Sequence, residues 1–194
     1  AGASAIEVVF RSGGKSLIRV RDDGHGMDRE DLLLAIERHA TSKLPSDDLI
    51  EIRYLGFRGE ALAAIASVSR LSLISCARTA DHAWRISADG ELTPDALPAG
   101  TVVEMRDLYF NTPARRKFLK SAATEQAHCL EAIRRQALAH PEIAFTLSRD
   151  GKESHHWPSD DAAGRLRQVL GDAFLKACRT VHQGNDLLQL TGWA

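Results

Sequence analysis

The stretch VRDDGHGMDREDL, Val20 to Leu32, constrains this chain more than any other. An apolar strand ends in two carboxylates, Asp22 and Asp23, then Gly24 and Gly26 follow and a helix begins. Patterns that are missing narrow what such a turn can hold. A dinucleotide-binding turn needs GxGxxG, but Met27-Asp28-Arg29 follows Gly26, so the third glycine is absent. No GxxxxGK[ST] occurs anywhere, which excludes a P-loop. The acidic residues Asp22, Asp23, Asp28, Glu30 and Asp31 lack the alternation and terminal glutamate of an EF-hand, and the later ones fit a helix N-terminus. What remains is Asp-x-Gly-x-Gly, in which a carboxylate faces a ligand and the glycines let a flat ring approach the backbone. A carboxylate only accepts hydrogen bonds, so it suits an exocyclic amine such as that of adenine. A tight surface turn would show the same residues, and other segments have to decide.

In LGFRGEAL, Leu55 to Leu62, Gly56 and Gly59 bracket Phe57-Arg58 just ahead of a helix. Free amides at a helix start, with an arginine beside them, form an anion site that suits phosphates; a plain helix-entry loop is the competing reading. RHATSK, Arg38 to Lys43, adds donors to an intervening loop able to close over a triphosphate. In PAGTVVEM, Thr101 starts a strand with its hydroxyl available to a base, although Gly-Thr at a strand start is a weak signal alone.

Around these motifs, AIEVVFR and SLIRVR flank Ser12-Gly13-Gly14-Lys15 as an antiparallel hairpin. Asp28 caps a helix expected from Arg29 to His39, and Ala40 to Tyr54 reads as a loop. A helix is expected over Gly59 to Ser69, a hairpin over LSLISC and DHAWRIS, a strand over Thr101 to Asp107, a helix over Glu125 to His140, and a strand in IAFTLSRDGK. The fold class that follows is α+β, a mixed, mostly antiparallel sheet with helices on one face. After Pro158-Ser159-Asp160-Asp161 the pattern restarts with AAGRLRQVLGDAFLKA as one helix and LLQLTGWA as a strand. The expected division is therefore a domain over 1–157 and the beginning of a second α/β domain over 158–194.

The formal net charge of -1 gives no global attraction to a polyanion, so a nucleic-acid contact has to come from a local patch. Arg115, Arg116 and Lys117 are the candidates, against the alternative of a solvated helix start. Three cysteines, Cys76, Cys129 and Cys178, without a CxxC pair fit a reducing compartment and read as small buried apolar residues. His155-His156 beside Trp157 has no further ligand at metal spacing and reads as strand surface. No apolar run reaches the roughly twenty residues of a membrane span, so no membrane partner is expected. The chain opens at Ala1-Gly2-Ala3 without Met and is expected to be a fragment at both ends.

DDGHGM, RHATSK, LGFRGEALAAIASVSRL, GTVVEMRDLYFNTPARRKFL and the opening AGA resemble, in order and spacing, the N-terminal ATPase region of the MutL family of DNA mismatch repair proteins. That family belongs to the GHKL class of gyrase, heat-shock chaperones, histidine kinases and MutL. The resemblance covers nearly the whole chain and implies a Bergerat fold with ATP as ligand. It implies that Asp22 accepts the adenine amine, Gly24 and Gly26 shape the pocket floor, and Met27 lines its apolar side. Thr101 would join Asp22 around the base through water. Ala40, Thr41, Ser42 and Lys43, with Leu55, Gly56, Phe57, Arg58, Gly59, Glu60, Ala61 and Leu62, would form the lid and phosphate cradle. For 158–194 the family implies a ribosomal-S5-like domain.

The family also carries a Glu-x-x-x-Asn-Ser-x-Asp segment immediately before its Ala-Gly-Ala. Its glutamate is the general base and its asparagine holds Mg²⁺, and neither lies in these residues. No catalytic residue and no protein metal ligand is therefore expected in this chain, which alone would hydrolyse ATP negligibly. The implied parent is an ATPase whose lid ordering and homodimerisation couple the mismatch-recognition partner MutS to a downstream nuclease and helicase on DNA, in a bacterial cytoplasm. An ATP-binding scaffold that works without hydrolysis is the alternative.

Overall fold

The computed structural model describes residues 2–37, 59–185 and 188–194. Ten strands are present among them: β1 (Ala5–Arg11), β2 (Leu17–Asp22), β3 (Arg70–Cys76), β4 (Ala83–Ser87), β5 (Leu92–Asp95), β6 (Gly100–Arg106), β7 (Ala144–Arg149), β8 (Lys152–Trp157), β9 (Thr180–Gly184) and β10 (Gln189–Trp193). The helices are α1 (Arg29–Ala35), α2 (Ala61–Ala66), α3 (Pro113–Arg116), α4 (Ala122–Ala139), α5 (Ala162–Leu170) and α6 (Asp172–Ala177). The first eight strands make one sheet in the order β5-β4-β3-β6-β2-β1-β7-β8, and β9 pairs with β10. Every pairing in the large sheet is antiparallel except that of β1 with β7.

Residues opposite each other on neighbouring strands point to the same side, so the register identifies the core face. Val8 lies opposite Val20, Val20 opposite Val103, Val103 opposite Leu73 and Leu73 opposite Ile86. On the other flank Val8 lies beside Leu147, and Phe145 opposite Trp157. This face is covered by helices in two groups. Ala137, Leu130 and Ile133 of α4 pack on Val8, Phe10, Phe145, Leu147 and Trp157. Leu32 and Leu33 of α1 and Leu62, Ile65 and Ala66 of α2 pack on Leu71, Leu73 and Ile86. The expected α+β sheet with helices on one face is what the chain adopts. Its other face carries ion pairs such as Glu7 with Arg19 at 3.6 Å and Arg106 with Glu104 at 2.6 Å.

The elements differ from expectation where local signals compete. Asp28 caps α1 by accepting from the amides of Glu30 and Asp31, but the helix ends at Ala35. The helix α2 is likewise confined to Ala61–Ala66. In contrast α4 begins earlier, at Ala122, because the Ser121 hydroxyl accepts from the Thr124 amide. The single helix expected over 162–177 is two, because Gly171 adopts φ 87 and ψ 164 between α5 and α6. β5, an edge strand holding Pro94, and β9 carry no strong strand signal and were not expected. Of the cysteines only Cys76 is fully buried; Cys129, which packs against the core from α4, and Cys178, which follows the end of α6, are half-buried.

Val169 of α5 packs against the sheet's core cluster, and a buried arginine ties the same helix to the loops beside β7 and β8. Arg165 of α5 is 0 % exposed. Its Nη2 donates to the carbonyls of Pro141 (3.0 Å), Ile143 (2.6 Å) and Pro158 (3.0 Å), and its guanidinium carbon lies 5.6 Å from the centre of the Phe145 ring. Burial pushes this guanidinium below its ordinary pKa range, opposed by the carboxylates of Asp160 and Glu142. An arginine stays charged regardless, so its loss leaves buried carbonyls without their donor. Arg165→Ala is expected to lower unfolding stability by about 3 kcal/mol in denaturant titration, and Arg165→Lys to recover only part of it.

Candidate functional site

The helix-covered face ends in a row that is polar. Two residues beyond Val20, β2 presents Asp22; opposite it β6 presents Thr101, and opposite that β3 presents Ser75. The alternation that buries Val20, Val103 and Leu73 thus lines up a carboxylate and two hydroxyls at the sheet end where the glycine turn departs. Asp22 Oδ1 accepts the Gly24 amide at 2.9 Å, which orients the carboxylate; among the described residues Oδ2 takes no hydrogen bond. Ser75 is 0 % exposed. Its Oγ accepts from the Met27 amide at 2.8 Å and lies 2.9 Å from Thr101 Oγ1 and 3.1 Å from the Gly100 carbonyl oxygen.

The two neighbouring aspartates divide the work. Asp23 is turned away from the row and holds the start of β1: Oδ1 accepts the amides of Ser4 (2.7 Å) and Ala5 (2.9 Å), and Oδ2 accepts the Ser4 hydroxyl. These bonds, the Ser4 hydroxyl foremost, hold the Asp23 carboxyl below the ordinary carboxylate range. Gly26 has φ 69, and a Cβ there would lie 1.9 Å from the Cys76 carbonyl oxygen. Its first duty is to let the turn pass against the end of β3; the His25 carbonyl then accepts the Arg78 amide at 3.1 Å. Met27 contributes its amide to Ser75 and its side chain to the cluster around Leu32.

Of the expected lid and cradle, Ala40, Thr41, Ser42, Lys43, Leu55, Gly56, Phe57 and Arg58 lie outside the described residues. Gly59 has φ 61, and Glu60 immediately precedes α2, while Ala61 is exposed and Leu62 packs into the core. Arg115, Arg116 and Lys117 are exposed in and after α3, which follows the opposite end of β6 from Thr101. That basic segment is tied to the end of α2, since Asn111 Nδ2 donates to the Ser67 carbonyl at 2.9 Å and the Tyr109 amide to the Val68 carbonyl at 2.7 Å. Ser75 was not expected from the sequence. The signal was its parity, two residues past Leu73 in LSLISC and so on the buried face.

Residues 1–91 match the family model described as histidine kinase-, DNA gyrase B- and HSP90-like ATPase. A DNA mismatch repair protein MutL from Paramagnetospirillum magneticum is 50% identical over 100% of this chain and 34% of its own length. One from Thiobacillus denitrificans is 49% identical over 100% of the chain and 33% of its own length. The chain belongs to the MutL family of GHKL ATPases. It spans about a third of the length of those MutL relatives. The structure of the Aquifex aeolicus MutL ATPase domain complexed with ADP superposes with a TM-score of 0.74 at 31% identity, over 93% of this chain and 65% of that one. The fold is the GHKL ATPase fold of these MutL domains.

Two outcomes follow from the geometry. Gly26→Ala forces a side chain onto backbone at positive φ and is expected to lower stability by at least about 2 kcal/mol in thermal or denaturant unfolding. Because the folded pKa of Asp23 is depressed, its contribution to stability is complete above the ordinary carboxylate pKa and is lost as pH falls through the folded value. Asp23→Asn is therefore expected to flatten the acid limb of the stability profile, and Ser4→Ala to shift that limb to higher pH.

Proposed function

We propose that this chain is the adenine-nucleotide-binding unit of a DNA mismatch repair ATPase, with the Asp22–Thr101–Ser75 row as its base-recognition edge. The observation that carries this reading is Asp22 Oδ2, which takes no hydrogen bond among the described residues, in a row set by cross-strand register. The carboxylate takes the adenine amine and Thr101 Oγ1 serves the ring beside it, with Gly24, Gly26 and Met27 forming the wall of the cleft. The segments Ala40–Lys43 and Leu55–Leu62 close over the phosphates. The ADP complex of the Aquifex aeolicus MutL ATPase domain supports the choice of ligand.

In this proposal only the closed, dimerised state contacts the triphosphate fully, so nucleotide binding shifts the population toward the dimer. The closed state signals from MutS to the nuclease and helicase that act next, and hydrolysis resets it. The general base in this proposal is the glutamate of the family's segment ahead of Ala-Gly-Ala. Magnesium enters with the phosphates and that same segment. Among the described residues no group of three or more His, Cys, Asp or Glu side chains gathers to hold a metal ion, and no step is assigned to it here. No described helix is long and apolar enough to cross a membrane.

Residues 158–194 open the second unit of the family architecture, with α5 seated on the first through Arg165. Arg115, Arg116 and Lys117 form the local positive patch for DNA phosphates; none has an ion-pair partner among the described residues. Asp22→Asn is expected to weaken ATP binding by roughly ten- to a hundredfold in calorimetry, the loss of one charge-assisted bond, and an unchanged affinity would remove Asp22 from the site. Arg115→Glu with Arg116→Glu is expected to flatten the dependence of DNA affinity on salt by about two phosphate contacts, read as the slope of log K against log salt.

A further inference from the structure

The fully buried Ser75 has more to do than fill space. A serine hydroxyl has one proton and two acceptor positions. One acceptor position is taken by the Met27 amide at 2.8 Å, which is a donor and cannot reverse. The single proton then has two destinations, Thr101 Oγ1 at 2.9 Å or the Gly100 carbonyl oxygen at 3.1 Å. If Ser75 donates to Thr101, the Thr101 proton is released toward the cleft and Thr101 acts there as a donor. If Ser75 donates to Gly100, Thr101 has to donate back to Ser75 and offers the cleft only lone pairs. The two arrangements suit different purines. Beside the exocyclic amine, adenine has an unprotonated ring nitrogen that accepts; hypoxanthine and guanine have a carbonyl and a protonated ring nitrogen that donates.

We propose that Ser75 is a positioning residue for base selection: it orients Thr101 as a donor, so that Asp22 and Thr101 together present acceptor and donor in the order adenine requires. The amide of Met27, the hydroxyl of Ser75 and the hydroxyl of Thr101 form a head-to-tail chain that ends directly on the ring nitrogen. Such chains polarise along their length, which favours this direction over its reverse. The turn that supplies Met27 is the turn that follows Asp22, so acceptor and donor are set by one short segment and one buried hydroxyl. Asp22 alone would reject a purine carbonyl by charge; Ser75 makes the neighbouring position reject a protonated ring nitrogen as well. This assignment rests on the proposed nucleotide site.

The test compares ADP with inosine diphosphate, which differs at the base edge and avoids turnover, by calorimetry on the full-length protein. Ser75→Ala is expected to narrow the preference for ADP by about tenfold, the change one oriented neutral hydrogen bond gives, mainly through weaker ADP binding. In a Thr101→Val background, where there is no hydroxyl to orient, Ser75→Ala is expected to leave the preference where Thr101→Val puts it. A merely structural role would lower both affinities together and leave their ratio unmoved. Should Ser75→Ala not fold, Ser75→Cys, close in volume and weak in hydrogen bonding, reads the same ratio. A wild-type ratio in the Ser75 variant, or an equal fall with and without the Thr101 hydroxyl, overturns the assignment. Asp22→Asn separates the two levels: if it leaves ADP affinity unchanged the nucleotide site itself fails, and if it abolishes affinity while Ser75 leaves the ratio unmoved, only the Ser75 assignment fails.

Discussion

Cross-strand register between β2, β6 and β3 is the constraint on which the rest depends. The same alignment that stacks Val20, Val103 and Leu73 under the helices places Asp22, Thr101 and Ser75 together one step further along. Side chains alternate across a sheet, so a slip of one residue in β6 would turn Thr101 to the far face and break the core in the same stroke. Core and site are therefore specified by a single pairing. The polar row needs no separate scaffold, because it is the continuation of the packed one.

Both hydrophobic clusters lie on one side of this sheet. The face under α1, α2 and α4 holds Phe10, Leu71, Leu73, Ile86, Phe145 and Leu147, all buried. The opposite face carries exposed or half-exposed ion pairs, Glu7 with Arg19 and Arg85 with Asp95 among them. Pairs of that kind contribute little each, and they keep a broad sheet face soluble more than they hold it together. Arg165 is a different case, a cation inside the structure whose Nη2 is held by three carbonyls and whose guanidinium lies against an aromatic ring, so these contacts define where α5 can sit.

What was legible in the sequence is what local chemistry encodes. The turn at Asp22 to Met27, the cap at Asp28, the hairpins and the alternation of the central strands could all be read, because each signal lies within a few residues of its effect. The separate duties of Asp22 and Asp23 could not, since the two side chains are identical and the partners that distinguish Asp23, Ser4 and Ala5, lie 19 and 18 residues away. Ser75 was hidden for the same reason, being 26 residues from Thr101. β5 was hidden by its proline, and the break between α5 and α6 by a helical pattern that runs on through Gly171. The ligand itself came from the resemblance, which joined a turn with two readings to segments that favour only one.

The lone parallel pairing, β1 with β7, has a consequence for how the chain is made. The turn after β1 meets the turn after β7 through the Ser12 amide and the Asp150 carboxylate, 138 residues apart. On a ribosome β1 can hairpin with β2 at once, yet its other edge stays bare until β7, more than 130 residues later, has emerged. A bare strand edge is what a chaperone grips or a neighbouring nascent chain captures, and in this chain that edge is covered only when β7 arrives.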